Sequence, residues 1–287
     1  MGQVRIVTDS CASIPDPLLQ EHEIIMVPYY VHIGGQAFRD LVDLQRGPFY
    51  DYLTRADDLP KTANPGPGDY VKAFREAREA GAQAVVSVHM TSLGSGAYQA
   101  ALVAREMAQS ELPGLEIEVV DTRNVAMCHG WIALEAARAA QGGARLPQVM
   151  ELIRYLLPRV RMIQTADTLR YLYMGGRIGR AKHLLGSLLN AKPLISMEDG
   201  VIVALGQARS RLGAYHQIVE RVAQAVSKGA EIKVAYLHAA ALEEVRKLRG
   251  LLEERLSPVE TLVAELSPAL GVHTGPGTVG VCYFCRS

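Results

Sequence analysis

The sequence predicts an α/β protein whose first half contains a parallel sheet. Three short runs rich in β-branched residues, at 4–7, 84–88 and 117–120, each precede a segment whose composition suits a helix. Short apolar strands that alternate with helices are typical of parallel βαβ units. Such sheets bind ligands beyond the carboxyl ends of their strands, so we expect a site in the three loops that follow these runs.

The first run ends in Thr8-Asp9-Ser10, and Ser13-Ile-Pro-Asp16 is typical of a helix start. The second run leads through the loop at 89–96 into an alanine-rich helix over 97–108. The third leads through Asp121-Thr122 into an amphipathic helix over 131–140.

The second half has a different pattern, and we place a domain boundary near residue 160. Helices are predicted over 147–159 and 241–256, with a break at Gly175-Gly176 and an apolar stretch at 184–189. Strands are predicted at 232–237, 261–266 and 279–284. Period-two geometry puts Cys282 and Cys285 on opposite faces of the last strand, which favours structural thiols over a metal site.

The formal net charge is zero, which gives no general attraction to nucleic acid or to an anionic membrane. Residues 1–150 carry a net charge of −6 and residues 151–287 a net charge of +6. An anion site should therefore use the second half. Within residues 154–182 of this half, Asp167 is the single acidic residue in the sequence. The basic residues there are Arg154, Arg159, Arg161, Arg170, Arg177, Arg180 and Lys182.

No segment predicts insertion into a membrane. The N-terminus lacks an apolar signal core, and polar residues interrupt the longest uncharged stretch, at 80–104. We therefore expect a cytoplasmic protein.

Several familiar catalytic and nucleotide-binding motifs are absent. Gln99 and Leu93 stand where the dinucleotide fingerprint and the nucleophile elbow need glycines around Gly94-Ser-Gly96. The run 175–179 (GGRIG) lacks the Lys-Ser/Thr of a P-loop, and no HExxH occurs. The sequence predicts neither ATP binding nor a metal or other cofactor.

What remains is a set of loop residues that suits a carboxylate or phosphate: Thr62, Ser95, Gly96, Arg177 and His273. The Ser95 hydroxyl and the Gly96 amide stand at a predicted helix start, where anions bind. Each residue also has a structural interpretation. Ser95 suits an N-cap, Thr62 a turn hydroxyl, Arg177 an ion pair and His273 a surface imidazole.

At these same positions the chain resembles the DegV family of fatty-acid-binding proteins over nearly its whole length. The similar segments are 4–10 (VRIVTDS), 39–43, 62–65, 91–99, 121–122, 168–179 (TLRYLYMGGRIG), 188–194 (LLNAKPL) and 274–280. The resemblance implies a bacterial protein with a two-domain DegV-like fold. Residues 1–160 would form a Rossmann-like domain and residues 161–287 a second α/β domain, with a long-chain fatty acid between the two.

The resemblance also implies roles for the candidate residues. Thr62, Ser95 and the Gly96 amide would bind the carboxylate, while Arg177 and His273 would serve the head-group region or phosphoryl transfer. In bacterial fatty acid kinase systems such a protein presents its fatty acid to a separate ATP-binding subunit. The ligand would be the fatty acid itself, with no cofactor, and the chain itself would be non-catalytic.

The chain also departs from the family pattern. Ala63 and Asn64 replace the typical Ser and Gln, Gly94 replaces Leu, and Ala97 replaces Thr. Two other functions stay open. One is a lipid storage or transport module without a kinase partner. The other is a hydrolase with Ser95 as nucleophile and His273 as base, which the missing elbow disfavours.

Overall fold

The computed structural model describes residues 4–56, 58–187, 191–227 and 229–286. Its first half contains β1 (Val4–Asp9), α1 (Asp16–Glu21), β2 (Ile25–Val27), β3 (Tyr30–Ile33), β4 (Gln36–Arg39), α2 (Arg46–Leu53), β5 (Lys61–Ala63), α3 (Pro67–Glu79), β6 (Ala84–His89), α4 (Ala97–Glu111), β7 (Glu116–Asp121), α5 (Ala126–Gln141) and α6 (Leu146–Leu156). A 3-10 turn at Ser10–Ala12 follows β1 directly.

The second half contains β8 (Arg161–Thr165), α7 (Arg170–Met174), β9 (Lys192–Glu198), β10 (Val201–Ala208), α8 (Arg211–Ala225), β11 (Glu231–His238), α9 (Leu242–Arg255), β12 (Glu260–Glu265), α10 (Pro268–Thr274) and β13 (Val279–Arg286). A 3-10 segment, Gly179–Ser187, follows α7. The predicted apolar stretch at 184–189 and the segment 188–194 both include residues outside the described ranges.

The predicted parallel sheet is confirmed. Its order is β2-β1-β6-β7, and all three strand pairs are parallel. Helices α3 and α4 pack on this sheet, as does α5. Covering both faces is what parallel sheets require, and it explains why β6 is buried along its whole length.

A six-stranded mixed sheet dominates the second half, in the order β10-β9-β8-β13-β11-β12. Its β11–β12 pair is parallel and its other pairs are antiparallel. In β13, Cys282 belongs to the hydrophobic cluster that contains α5, whereas Cys285 packs against the cluster on the other face. The expected opposite orientation of the two thiols is confirmed.

The helix predicted over 131–140 is confirmed as part of α5, but its predicted amphipathic character is wrong, because α5 lies between the two large sheets. It packs against β1 and β6 on one side and β13 on the other, and residues 131–137 are all buried. Trp131 donates its indole N–H to the Cys282 carbonyl at 3.1 Å. Glu135 is 3 % exposed and pairs with Arg138, Lys233 and Arg286. A helix surrounded by protein needs no polar face.

A short antiparallel sheet with the order β4-β3-β5 was not predicted. Its three-residue strand β5 places Thr62 opposite Val31 of β3. Strands this short and this exposed carry too little alternation to be recognised in a sequence.

The division of the chain at residue 160 stays a prediction, since one hydrophobic cluster contains residues of both halves, from Val4 to Phe284. Within the described ranges, every helix is too short or too polar to cross a lipid bilayer.

Candidate functional site

A cavity of about 360 Å³ lies beyond the carboxyl ends of the parallel strands. Cys11 follows β1, Met90 follows β6, and Val125 follows β7; all three line the cavity. Its other walls come from α10 and from the six-stranded sheet, through Leu270, Met162 and Met197. The volume is within the usual range of small-molecule sites.

Ser95 and Gly96 line the cavity at the start of α4, where Gly96 is the N-cap residue. The Ser95 hydroxyl oxygen lies 2.7 Å from the Tyr29 hydroxyl and accepts the Ala97 backbone N–H at 3.3 Å. Among the described residues, the Gly96 N–H has no hydrogen-bond partner. A Cβ at position 96 would lie 2.9 Å from the Asn64 amide oxygen, so glycine lets the loop after β5 approach closely.

Thr62 and His273 meet in the cavity although they are 211 residues apart. The Thr62 hydroxyl oxygen lies 2.8 Å from Nε2 of His273, which α10 contributes. The Nδ1 atom of His273 is buried without a partner. Thr62 is therefore a strand residue paired with an imidazole, and the turn interpretation is wrong. His273 is largely buried, and the surface interpretation is wrong for it as well.

Arg177 stands at the exposed rim, just after α7. Its guanidinium donates to the Gly175 carbonyl at 2.7 Å and to the Gly94 carbonyl at 3.4 Å. The guanidinium therefore braces the turn through backbone carbonyls, and it forms no ion pair with a described carboxylate, so the ion-pair interpretation is wrong. A Cβ on Gly175 would lie 2.2 Å from His273 Nδ1, so glycine there lets the imidazole approach α7.

The electrostatics of the cavity favour an anion. None of its described lining residues is an aspartate or glutamate, and Arg177 is the one charged lining side chain among them. Burial, with a smaller contribution from Arg177, lowers the pKa of His273 to about 4. At neutral pH the imidazole is uncharged and acts as a hydrogen-bonding group.

A second group of polar residues, Asp9, His89 and His129, lies outside the cavity lining, and we call it the sealed cluster. All three side chains are 0 % exposed. Asp9 Oδ2 lies 3.4 Å from His89 Nδ1, and Asp9 Oδ1 lies 4.0 Å from His129 Nδ1. Asp9 Oδ1 also accepts the Cys11 backbone N–H at 3.0 Å. The described residues contain no grouping of histidine, cysteine and carboxylate side chains that suits a metal ion.

Two cavity residues escaped the sequence analysis. Tyr29 is 4 % exposed and holds Ser95, and Gln164 of β8 contributes an amide to the lining. Neither belongs to a motif, and both positions read as ordinary strand or strand-flanking residues. No sequence signal distinguishes them.

These features define a class of protein. It is an α/β protein with a partly open, mainly apolar cavity at the ends of its parallel strands, lined also by hydroxyl groups and by one cation at the rim. The family model described as "Uncharacterised protein, DegV family" matches residues 3–286. The chain therefore belongs to the DegV family.

Curated relatives and solved structures of this family are similar to the chain over nearly its whole length. A DegV domain-containing protein of Streptomyces coelicolor is 33% identical over 284 residues, which cover 99% of both chains. A DegV family protein from Thermus thermophilus, described by its fatty acid binding, superposes with a TM-score of 0.91 at 31% identity and 100% coverage of both chains. DegV from Bacillus subtilis, described as a fatty acid binding protein, gives 0.89 at 28% identity and the same coverage.

Proposed function

We propose that this protein binds a long-chain fatty acid, with the carboxylate at Thr62, Ser95 and Gly96 and the acyl chain in the apolar part of the cavity. The observation that carries the proposal is the composition of the lining. Hydroxyl groups, a free backbone N–H and one arginine meet a cavity that is otherwise mainly apolar. That combination fits an amphiphilic anion.

The hydrogen-bond directions support the carboxylate site. Ser95 Oγ accepts the Ala97 N–H and can accept the Tyr29 O–H, which leaves the Ser95 proton free to donate. Neutral His273 can likewise donate from Nε2 to Thr62, which frees the Thr62 proton. Two hydroxyl protons and the Gly96 N–H then face the ligand. A carboxylate accepts hydrogen bonds without donating any, so it matches three donors.

The acyl chain supplies the main driving force. Burying about 14 methylenes at ~0.8 kcal/mol each contributes ~11 kcal/mol before the costs of association. The solved relatives from Thermus thermophilus and Bacillus subtilis, described as fatty acid binding, support the same ligand class.

Binding is tested with delipidated protein titrated with palmitate and, as a matched control, with the alcohol of the same chain length. We expect saturable binding of palmitate, at least ten-fold tighter than that of the alcohol, because the alcohol presents one oxygen and no charge. Mass spectrometry of the lipid that copurifies should identify a fatty acid. If no long-chain acid binds saturably, the proposal is wrong.

We further propose that the protein presents the bound carboxylate to a separate ATP-binding kinase subunit, which would form an acyl phosphate. The position of Arg177 supports this role, because its always-charged planar guanidinium stands at the exposed rim beside the site. A cation there would help most when phosphoryl charge arrives.

The test measures acyl phosphate formation with the cognate subunit. We expect Arg177→Ala to keep palmitate affinity within a few fold and to lose most of the turnover. Arg180→Ala is the matched control, since Arg180 is exposed nearby but pairs with Glu198 and Asp199. Full turnover by Arg177→Ala would defeat the role of Arg177. Ligand binding without turnover in the wild-type protein would favour a storage or transport module.

The geometry argues against the Ser95/His273 hydrolase. His273 Nε2 is engaged by Thr62, Ser95 is engaged by Tyr29, and no described carboxylate orients the imidazole. A nucleophilic triad needs a serine–base hydrogen bond and an orienting acid.

A further inference from the structure

Gln164 places an amide in the apolar part of the cavity. The residue is 4 % exposed, lies on β8 and lines the cavity together with Met162 and Met197. Among the described residues, none forms a hydrogen bond with its side chain. The Oε1 and Nε2 atoms are not sealed inside the protein, so a polar atom of a ligand in the cavity can form a hydrogen bond with either of them.

The surrounding sheet leaves room for a side chain at position 164. Gly280 of β13 stands opposite Gln164, and a Cβ at position 280 would lie 2.4 Å from the Gln164 Cβ. Any side chain at 280 would therefore displace Gln164. Met162, two residues earlier and on the same face, lies in the apolar cluster with α5. An apolar residue at 164 would continue that pattern.

Gln164 also belongs to a different part of the fold from the proposed carboxylate site. Thr62 and Ser95 come from the first half of the chain, whereas β8 is an inner strand of the six-stranded sheet. The three donors described above already match the ligand carboxylate. The Gln164 amide is therefore available to a second polar group on the same ligand.

We propose that Gln164 selects fatty acids that carry a hydroxyl group along the acyl chain. A hydroxyl can donate to the Gln164 carbonyl oxygen or accept from its NH₂ group, so it satisfies the amide in either orientation. An unsubstituted methylene chain satisfies neither atom. This inference rests on the proposed fatty acid binding and narrows its substrate class.

The test compares stearate with a positional series of monohydroxystearates on delipidated wild-type protein, Gln164→Leu and Gln164→Met. We expect at least one hydroxystearate to bind the wild type about ten-fold more tightly than stearate. Both variants should lose this preference and should bind stearate at least as tightly as the wild type does.

Thr165→Val is the matched control. The Thr165 hydroxyl is buried without a partner, and alternation places it on the opposite face of β8, away from the cavity. This variant should keep the hydroxystearate preference.

The failures of the two proposals are distinguishable. Saturable stearate binding without preference for any hydroxystearate, or a preference that survives in both Gln164 variants, would overturn the role of Gln164 alone. Equal weakening of stearate and the hydroxystearates in the variants would also overturn it, because Gln164 would then act on the carboxylate. No binding of any acid would overturn the fatty acid proposal together with this one.

Discussion

The buried imidazole of His129 and the partly buried imidazole of His273 have opposite electrostatic neighbours. His129, in the sealed cluster, lies 2.8 Å from the Thr8 hydroxyl through Nε2 and faces Asp9 through Nδ1. His273, at the cavity, lies 2.8 Å from the Thr62 hydroxyl through Nε2 and has Arg177 as its charged neighbour. Burial lowers the pKa of both, but Asp9 opposes that shift in His129 and Arg177 adds to it in His273.

This difference in charged neighbours indicates a structural role for the sealed cluster, whereas the Thr62–His273 pair at the cavity suits ligand binding. The sealed cluster contains its own anion and is closed to solvent, so its contribution is to the stability of the fold. The cavity pair has a cation and neutral donors but no described anion. This composition suits the negatively charged ligand proposed above.

The largest expected effect is on stability, in the sealed cluster. Asp9→Ala removes the acceptor of the Cys11 N–H and the carboxylate beside both imidazoles. We expect the free energy of unfolding to fall by roughly 3 kcal/mol, measured by urea denaturation. Asp9→Asn keeps an oxygen for Cys11 and should lose less. A change below about 0.5 kcal/mol in Asp9→Ala would contradict a structural role for the cluster.

The pH dependence of stability comes next, and it concerns the cavity imidazole. Native His273 stays neutral down to about pH 4, whereas the unfolded chain binds this proton near its usual pKa of about 6.5. Stability should therefore fall as the pH decreases through this window. Relative to His273→Gln, we expect the wild type to lose roughly 2 kcal/mol between neutral pH and pH 4, after allowance for partial solvent screening.

Comparison with the variant isolates His273 from other groups that titrate in this range. Burial raises the pKa of Asp40 to about 6, which changes stability in the opposite direction, and burial lowers the pKa of His238 to about 4. Both effects are common to the two proteins and cancel. Bound palmitate should reduce the difference, since its carboxylate would stabilise the imidazolium. Identical pH profiles would show that His273 is not shielded as described.

The smallest expected effect is on affinity, and it comes from two matched threonines. Thr62→Val and Thr8→Val each remove a hydroxyl that lies 2.8 Å from an imidazole Nε2. Thr62→Val should weaken palmitate binding about ten-fold, or ~1.4 kcal/mol, with little change in unfolding free energy. Thr8→Val should leave affinity unchanged and cost about 1 kcal/mol of stability, because Thr8 also bonds the Val88 carbonyl.

Titration calorimetry on both threonine variants measures the affinity for palmitate, and urea denaturation measures the free energy of unfolding. Thr62→Val should change the first quantity and Thr8→Val the second. Ser95→Ala should behave like Thr62→Val. Tyr29→Phe should weaken binding less, about three-fold, since Tyr29 acts by holding the Ser95 hydroxyl. Equal effects of Thr62→Val and Thr8→Val on affinity would remove the distinction between the two regions.

Much of the architecture could be predicted because its signals are local. The runs that became β1, β6 and β7 are short, β-branched and followed by helical segments, which is the pattern of a parallel sheet. The predicted strands that became β11, β12 and β13 were found in the same way. The short sheet of β3, β4 and β5 was missed because three or four residues show no measurable period.

The sequence by itself determined the parallel βαβ arrangement, the order of the motifs and the candidates Thr62, Ser95, Gly96, Arg177 and His273. Each of these depends on neighbouring residues, which the sequence shows directly.

Only the tertiary structure decided that α5 is buried on all sides, that Thr62 and His273 share a hydrogen bond across 211 residues, and that Gly175 must lack a side chain. The hydrophobic period of one segment shows which of its residues face the core and which face solvent. It does not record which distant segment supplies the other wall, because that depends on how whole sheets and helices pack.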